Sequence, residues 1–219
     1  MTELIARPTP PAESIRARFP RSLAGTLTAG AALVVVSDLL TPHTGSDARS
    51  LVATVNGDPS RWMLGYSLEM VAGVLTAAGL LGFAWAASGR GARLVRAGVC
   101  VFSVGMIGLA CEAATELLLV PVTAGGATPS VIDTVDRMNE SAALVLVFLL
   151  YLPGILFGPL LLAAGLARAT RITWWVAGAL VLATLAGFVL SGSLAGTLAV
   201  AAQMGMLAVL AWGVPARRA

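Results

Sequence analysis

Lysine is absent from this chain, histidine occurs once and cysteine twice, and charged residues make up only 11%. Each shortage closes a class of chemistry. With His43 as the single histidine, bis-histidine haem ligation and multi-histidine metal sites within one protomer are excluded. Cys100 and Cys111 would lie roughly 16 Å apart on nearly one face of a helix, so they cannot bridge each other. Their expected role is that of small apolar fillers in a packed helix. No Walker, Rossmann or zinc pattern occurs, so no cofactor or metal is implied and nothing points to nucleic acid. All 14 basic residues are arginines, which together with abundant Ala, Gly, Leu and Val suggests a GC-rich bacterial genome.

What is present is hydrocarbon. The 219 residues are 58% apolar with a mean hydropathy of +0.88, the signature of an integral membrane protein rather than a soluble domain. Windows of about 20 apolar residues predict an all-α, polytopic helix bundle with six transmembrane helices. They fall near 22–41, 63–87, 97–121, 141–167, 173–191 and 194–213. A basic tail (1–21) precedes them and a short tail (214–219) follows. The first run is too long for a signal-peptide core and is read as an uncleaved span. Pro153, Gly154, Gly158 and Pro159 are expected to break the fourth.

Arginine sets the orientation. Arg7, Arg16, Arg18 and Arg21, then Arg90, Arg93 and Arg96, then Arg168 and Arg171, and finally Arg217 and Arg218 all fall on one side of the six-span layout. Only Arg49, Arg61 and Arg137 fall on the other. Both ends are therefore predicted to be cytoplasmic, in a multi-pass protein of a bacterial cytoplasmic membrane. The outer loops, 42–62 and 122–140, carry amphipathic pieces that read as a lid. Leu51, Val52 and Val55 recur at helical spacing, Trp62 is expected at the water interface, and Ser130 with Asp133 marks a helix start from which the fourth span would run inward.

The acids run the other way. Glu69, Glu112 and Glu116 fall inside the spans, about 10, 13 and 8 Å below their outer ends at 1.5 Å per residue, and Asp38 lies near the rim. Their helical neighbours, Gly65, Gly73 and Thr76 for Glu69, and Gly105, Gly108 and Thr115 for the other two, are small or hydroxylic, which marks a protein-facing surface. Two carboxylates on one helix face, about 6 Å apart, repel by roughly 2–3 kcal/mol at an effective dielectric of 20. A proton or a cation between them removes that cost.

These residues predict a carboxylate-lined cavity that opens outward and binds a hydrophobic or cationic small molecule. Glu69, Glu112 and Glu116 are the working groups. One glutamate would serve as general acid and its neighbour as base, in cyclase- or isomerase-like chemistry. Asp38, Glu140, Tyr151, Arg61 and Arg137 are the supporting ligand-binding candidates, with Asn139 and Gln203 able to face the same interior. One alternative is a small proton- or cation-coupled transporter acting as a homo-oligomer. Another is an accessory protein whose acids are arginine-paired glue. Rhomboid-type proteolysis is set aside because "LSGSLAG" lacks its motif and later histidine. CDP-alcohol phosphotransfer and intramembrane prenyl transfer fail on their spaced aspartates, since "SDARS" is a fragment and Asp133-x-x-Asp136 stands alone.

The arrangement of "VVVSDLLTP" closing the first span, "SLVATVNGDPSRWMLGYSLEM" leading into the second, and arginine-rich turns after it resembles a loose group of small six-span membrane proteins of high-GC bacteria. The resemblance implies topology across most of the chain and no particular activity.

Overall fold

The computed structural model describes residues 19–42, 47–169 and 171–213. Most of the basic tail, the C-terminal tail and His43 lie outside the described residues. The described chain is all-helical. Helix α1 (Arg21–Leu40) leads into a short α2 (Ala48–Gly57) and a long α3 (Pro59–Ala86). Helix α4 (Ala92–Leu117) continues into one further turn, α5 (Leu119–Thr123), and then α6 (Pro129–Asn139) precedes α7 (Ala142–Arg168), α8 (Trp174–Val189) and α9 (Leu194–Gly213).

Local chemistry sets the starts. The Asp47 carboxylate accepts the Ser50 N–H at 2.9 Å, which caps α2 and holds that carboxyl below the usual carboxylate range. Asp58 caps α3 by accepting from the Arg61 N–H at 3.0 Å, with Pro59 in the first-turn position where its missing donor costs nothing. The cap of α6 is Thr128, which accepts from the Val131 N–H at 3.4 Å, and not Ser130.

Five helices are long and apolar enough to cross a membrane, with α4 and α5 counting as one run, and α8 is a shorter apolar helix. At 16 residues α8 extends only about 24 Å, against the ~30 Å of a hydrocarbon core. The expectation of a broken fourth span is corrected: α7 is continuous, with Pro153 and Pro159 inside it. Nor does the lid helix run into α7, because the chain turns at Glu140 and restarts with Ser141 as a new cap.

The six apolar helices form a closed circuit in chain order. α1 packs on α3, α3 on α4, α4 on α7, α7 on α8, α8 on α9, and α9 returns to α1, where Trp212 Nε1 donates to Thr28 Oγ1 at 2.8 Å. Leu27, Leu80, Phe102, Met106, Leu162, Leu180 and Leu207 are fully buried in the core. The seams are made by glycine. A Cβ on Gly105 would stand 2.6 Å from backbone atoms of Gly154 and Ile155, and one on Gly108 would stand 3.0 Å from Tyr151. Such contacts bring α4 and α7 into backbone proximity, the membrane mode of association in which dispersion and packing replace the hydrophobic effect.

A second, smaller core caps one end of the circuit. Ala48, Val52, Val55, Trp62, Leu119 and Val135, from α2, the start of α3, α5 and α6, bury one another. The lid therefore exists. Trp62, expected at the water interface, is instead fully buried as the centre of this small core, because the lid covers it. The remaining four tryptophans, Trp85, Trp174, Trp175 and Trp212, are exposed where α3 and α9 end and α8 begins, which is the end of the circuit away from the lid. This is the belt pattern of a membrane interface. Cys100 and Cys111 are free and exposed on α4, so they are not core fillers.

Placing a branched side chain at the α4–α7 seam tests this packing. Gly105→Ile is expected to cost about 3 kcal/mol or more. Gly205→Ile, at a position with no neighbour within 4 Å, should be close to neutral, and detergent-phase unfolding of the two variants would give the comparison.

Candidate functional site: a carboxylate layer beneath the lid

Each glutamate takes its direction from the helix that carries it. On α3 the exposed residues Leu64, Val71, Val74, Leu81 and Trp85 define one side, and the buried Gly65, Ala72, Gly73 and Thr76 the other. Glu69, four residues after Gly65 and seven before Thr76, belongs to the buried side. On α4 the exposed stripe includes Cys100, Val104, Ile107, Cys111 and Leu118. Glu112 and Glu116 follow the buried Gly105 and Leu109 by two turns each and so point inward.

The glycine seams then fix depth. The register that sets Gly65 against Thr41 and Gly30 against Thr76 puts Glu69 level with Ser37 of α1. The contact of Gly73 with Met106 and Ala110 puts the same residue level with Glu112, and Glu116 one turn nearer the lid. Glu69 is within electrostatic reach of Glu112, Glu116 and Asp38. Tyr66 is in reach of all three glutamates, and Tyr151 of Glu69, Glu112 and Asp38. Four acids and two tyrosines from α1, α3, α4 and α7 thus share one layer.

The lid closes on this layer through two rings. Trp62 and Tyr66 have centroids 4.8 Å apart, and Trp62 Nε1 donates to the Glu116 backbone carbonyl at 3.0 Å. The lid core and the end of α4 are therefore tied at the residue that carries the outermost glutamate. The Thr123 hydroxyl donates to Asn56 Oδ1 at 3.5 Å, linking α5 to α2 across the lid.

Among the described residues no arginine pairs with any of the three glutamates. Among the described residues the one ion pair joins Arg137 to Asp133, at 2.7 Å on the exposed surface of α6. Arg61 is tied to the last carbonyls of α1, Nε to Leu40 at 2.7 Å and a terminal nitrogen to Leu39 at 3.4 Å. One carboxyl oxygen on each of Glu112 and Glu116 is buried with no hydrogen-bond partner, as are Thr76 Oγ1 and Gln203 Nε2. Burying such groups unpaired costs on the order of 1–3 kcal/mol each, more for an ion. The acids are nonetheless not gathered tightly enough to form a metal-chelating group among the described residues.

No family model, curated protein or solved structure matches the chain.

The sequence candidates divide. Glu69, Glu112, Glu116, Asp38 and Tyr151 come together. Glu140 and Asn139 do not face the interior: both are exposed at the end of α6, because the turn at Ser141 separates that helix from α7. Arg137 is likewise on the lid surface. Gln203 is buried, at 4% exposure. Arg61 and Asp38 share a pocket of about 290 Å³ with Leu39, Thr41, Pro42, Leu194 and Thr197, and none of the three glutamates is in its wall. The glutamate layer sits under a closed lid beside this opening. Sequence reasoning missed Tyr66, although its position one turn before Glu69 on the same helix was a signal.

Loss of the tryptophan hydrogen bond should loosen the lid without emptying its core. Trp62→Phe is expected to cost about 1 kcal/mol and to raise hydrogen exchange in α2 and α6. Trp62→Ala should cost about 3–5 kcal/mol.

Proposed function

We propose that this chain is a six-span protein of a bacterial cytoplasmic membrane, with both ends in the cytoplasm. Its carboxylate layer binds a lipophilic or cationic small molecule admitted beneath the lid, and exchanges a proton with it. The arginine distribution supports the orientation, and α8 serves as the sixth, thin span. The observation that carries the functional reading is the pair of buried, partnerless oxygens on Glu112 and Glu116. A carboxyl group kept without a protein partner in a membrane interior is expensive, and proton or cation binding is the chemistry that repays it. Tyr66 and Tyr151 add aromatic faces, which favour a cation beside the acids. Glu69 and Glu112, level with each other on facing helices, are the general acid and base of the reading, with Glu116 at the lid side.

Two observations weigh against the other readings. Packing glue would pair the acids with arginines, yet Arg61 and Arg137 bond elsewhere. Transport through a broken helix would need α7 interrupted, yet α7 is continuous.

Binding of tetraphenylphosphonium, with proton release followed in weakly buffered detergent solution, provides the test. Glu112→Gln and Glu116→Gln are each expected to weaken binding about tenfold or more, the loss of roughly one charge-assisted contact, and to abolish proton release. Unchanged binding together with lowered melting temperatures would establish the acids as glue instead. Counterflow uptake in proteoliposomes that vanishes in Glu112→Gln would establish transport.

A further inference from the structure

The pocket beside the glutamate layer has chemistry of its own. It lies where α1 ends, α3 begins and α9 begins, and its polar wall is made by Asp38, Arg61, Thr41 and Thr197. Among the described residues, Asp38 and Arg61 share the cavity without forming an ion pair. Both threonine hydroxyls donate to their own helices, Thr41 to the Ser37 carbonyl at 2.9 Å and Thr197 to the Ser193 carbonyl at 3.4 Å, so each keeps lone pairs with which to accept. Two guanidinium nitrogens of Arg61 bond to the end of α1, and the rest of its five donors remain free. The cavity thus presents a carboxyl group and two acceptors on one hand, and a guanidinium on the other.

Its depth narrows the occupant. Along α9, Leu194 stands about 27 Å from the exposed Trp212 of the opposite interface at 1.5 Å per residue, close to the ~30 Å thickness of a hydrocarbon core. The pocket therefore opens at headgroup level. Leu39 and Leu194 in its wall, with Val36 and Leu198 further along α1 and α9, all exposed, offer an apolar surface for acyl chains. A volume of about 290 Å³ is at the small end of ligand pockets and suits a headgroup better than a whole amphiphile.

We propose that this pocket is a binding site for a phosphoethanolamine zwitterion, presented as the headgroup of a membrane lipid. The phosphate pairs with Arg61, and the ammonium donates to Asp38 and to the Thr41 and Thr197 hydroxyls. A primary ammonium supplies three N–H donors, whereas a quaternary choline supplies none and an uncharged glycerol headgroup cannot pair with a carboxylate. The site shares Asp38 with the acidic layer but does not rest on the glutamate reading, since none of the three glutamates lines it.

Native mass spectrometry of the full chain, exchanged into nanodiscs of defined composition, tests the assignment. Phosphatidylethanolamine is expected to be retained about tenfold over phosphatidylcholine and phosphatidylglycerol, the equivalent of one charge-assisted hydrogen bond. Asp38→Asn should erase the preference over phosphatidylcholine, and Arg61→Gln should reduce retention of every phospholipid. Thr197→Val, close to isosteric and safe for folding, should weaken the ethanolamine preference alone. Arg137→Gln, on the lid surface, should change nothing. Free phosphoethanolamine that fails to displace the lipid identifies a chain-anchored headgroup. Displacement at equal concentration would identify a soluble zwitterion and overturn the lipid assignment. Preference for phosphatidylglycerol, or an ethanolamine preference that survives both Asp38→Asn and Thr197→Val, would overturn the site.

Discussion

Backbone proximity at the glycine seams is the constraint on which the molecule depends. In a lipid environment apolar side chains gain little by leaving one hydrocarbon for another, so helices adhere where small residues let their backbones meet. Gly105 against Gly154, and Gly30 against Thr76, are such places. Because these contacts tolerate no added atom, they set register as well as adhesion. A slip of one residue along either seam would collide a side chain with backbone and turn the acidic residues out of their shared layer.

The acidic layer is thus a consequence of packing geometry, and the lid is what makes it chemically unusual. Three short helices and the head of α3 build a small hydrophobic core of their own, centred on Trp62. That core covers one end of the bundle, at the end where Glu116 lies. The tie between Trp62 and the Glu116 carbonyl couples the two parts, so movement of the lid would reach α4 at the residue that carries the outermost acid. Arg61 bonds the carbonyls that end α1 and lines a pocket with Asp38, away from the three glutamates.

Much of this was legible in the residues. The apolar runs at α1, α3, α4, α7 and α9 are helices long and apolar enough to cross a membrane, and the spacing of Leu51, Val52 and Val55 foretold α2. The inward direction of Glu69 and Glu112 followed from the glycines and threonines that share their faces. Other readings failed for identifiable reasons. Trp62 resembled an interfacial anchor because nothing in a linear pattern reports what covers a residue from above. Proline and glycine in α7 resembled a break, yet the helix runs through both prolines. Glu140 would face inward only if α6 and α7 were one helix, and the restart at Ser141 puts it on the surface.

Composition and periodicity by themselves determined that this chain is a bundle of apolar helices with inward-facing acids, because hydrocarbon admits few other arrangements of such residues. Only the tertiary structure decided which acids meet, which groups the arginines bond, and that the opening lies at Asp38 rather than over the glutamates. Those outcomes depend on register and on side-chain partners drawn from helices far apart in the chain, and single-helix patterns carry no record of either.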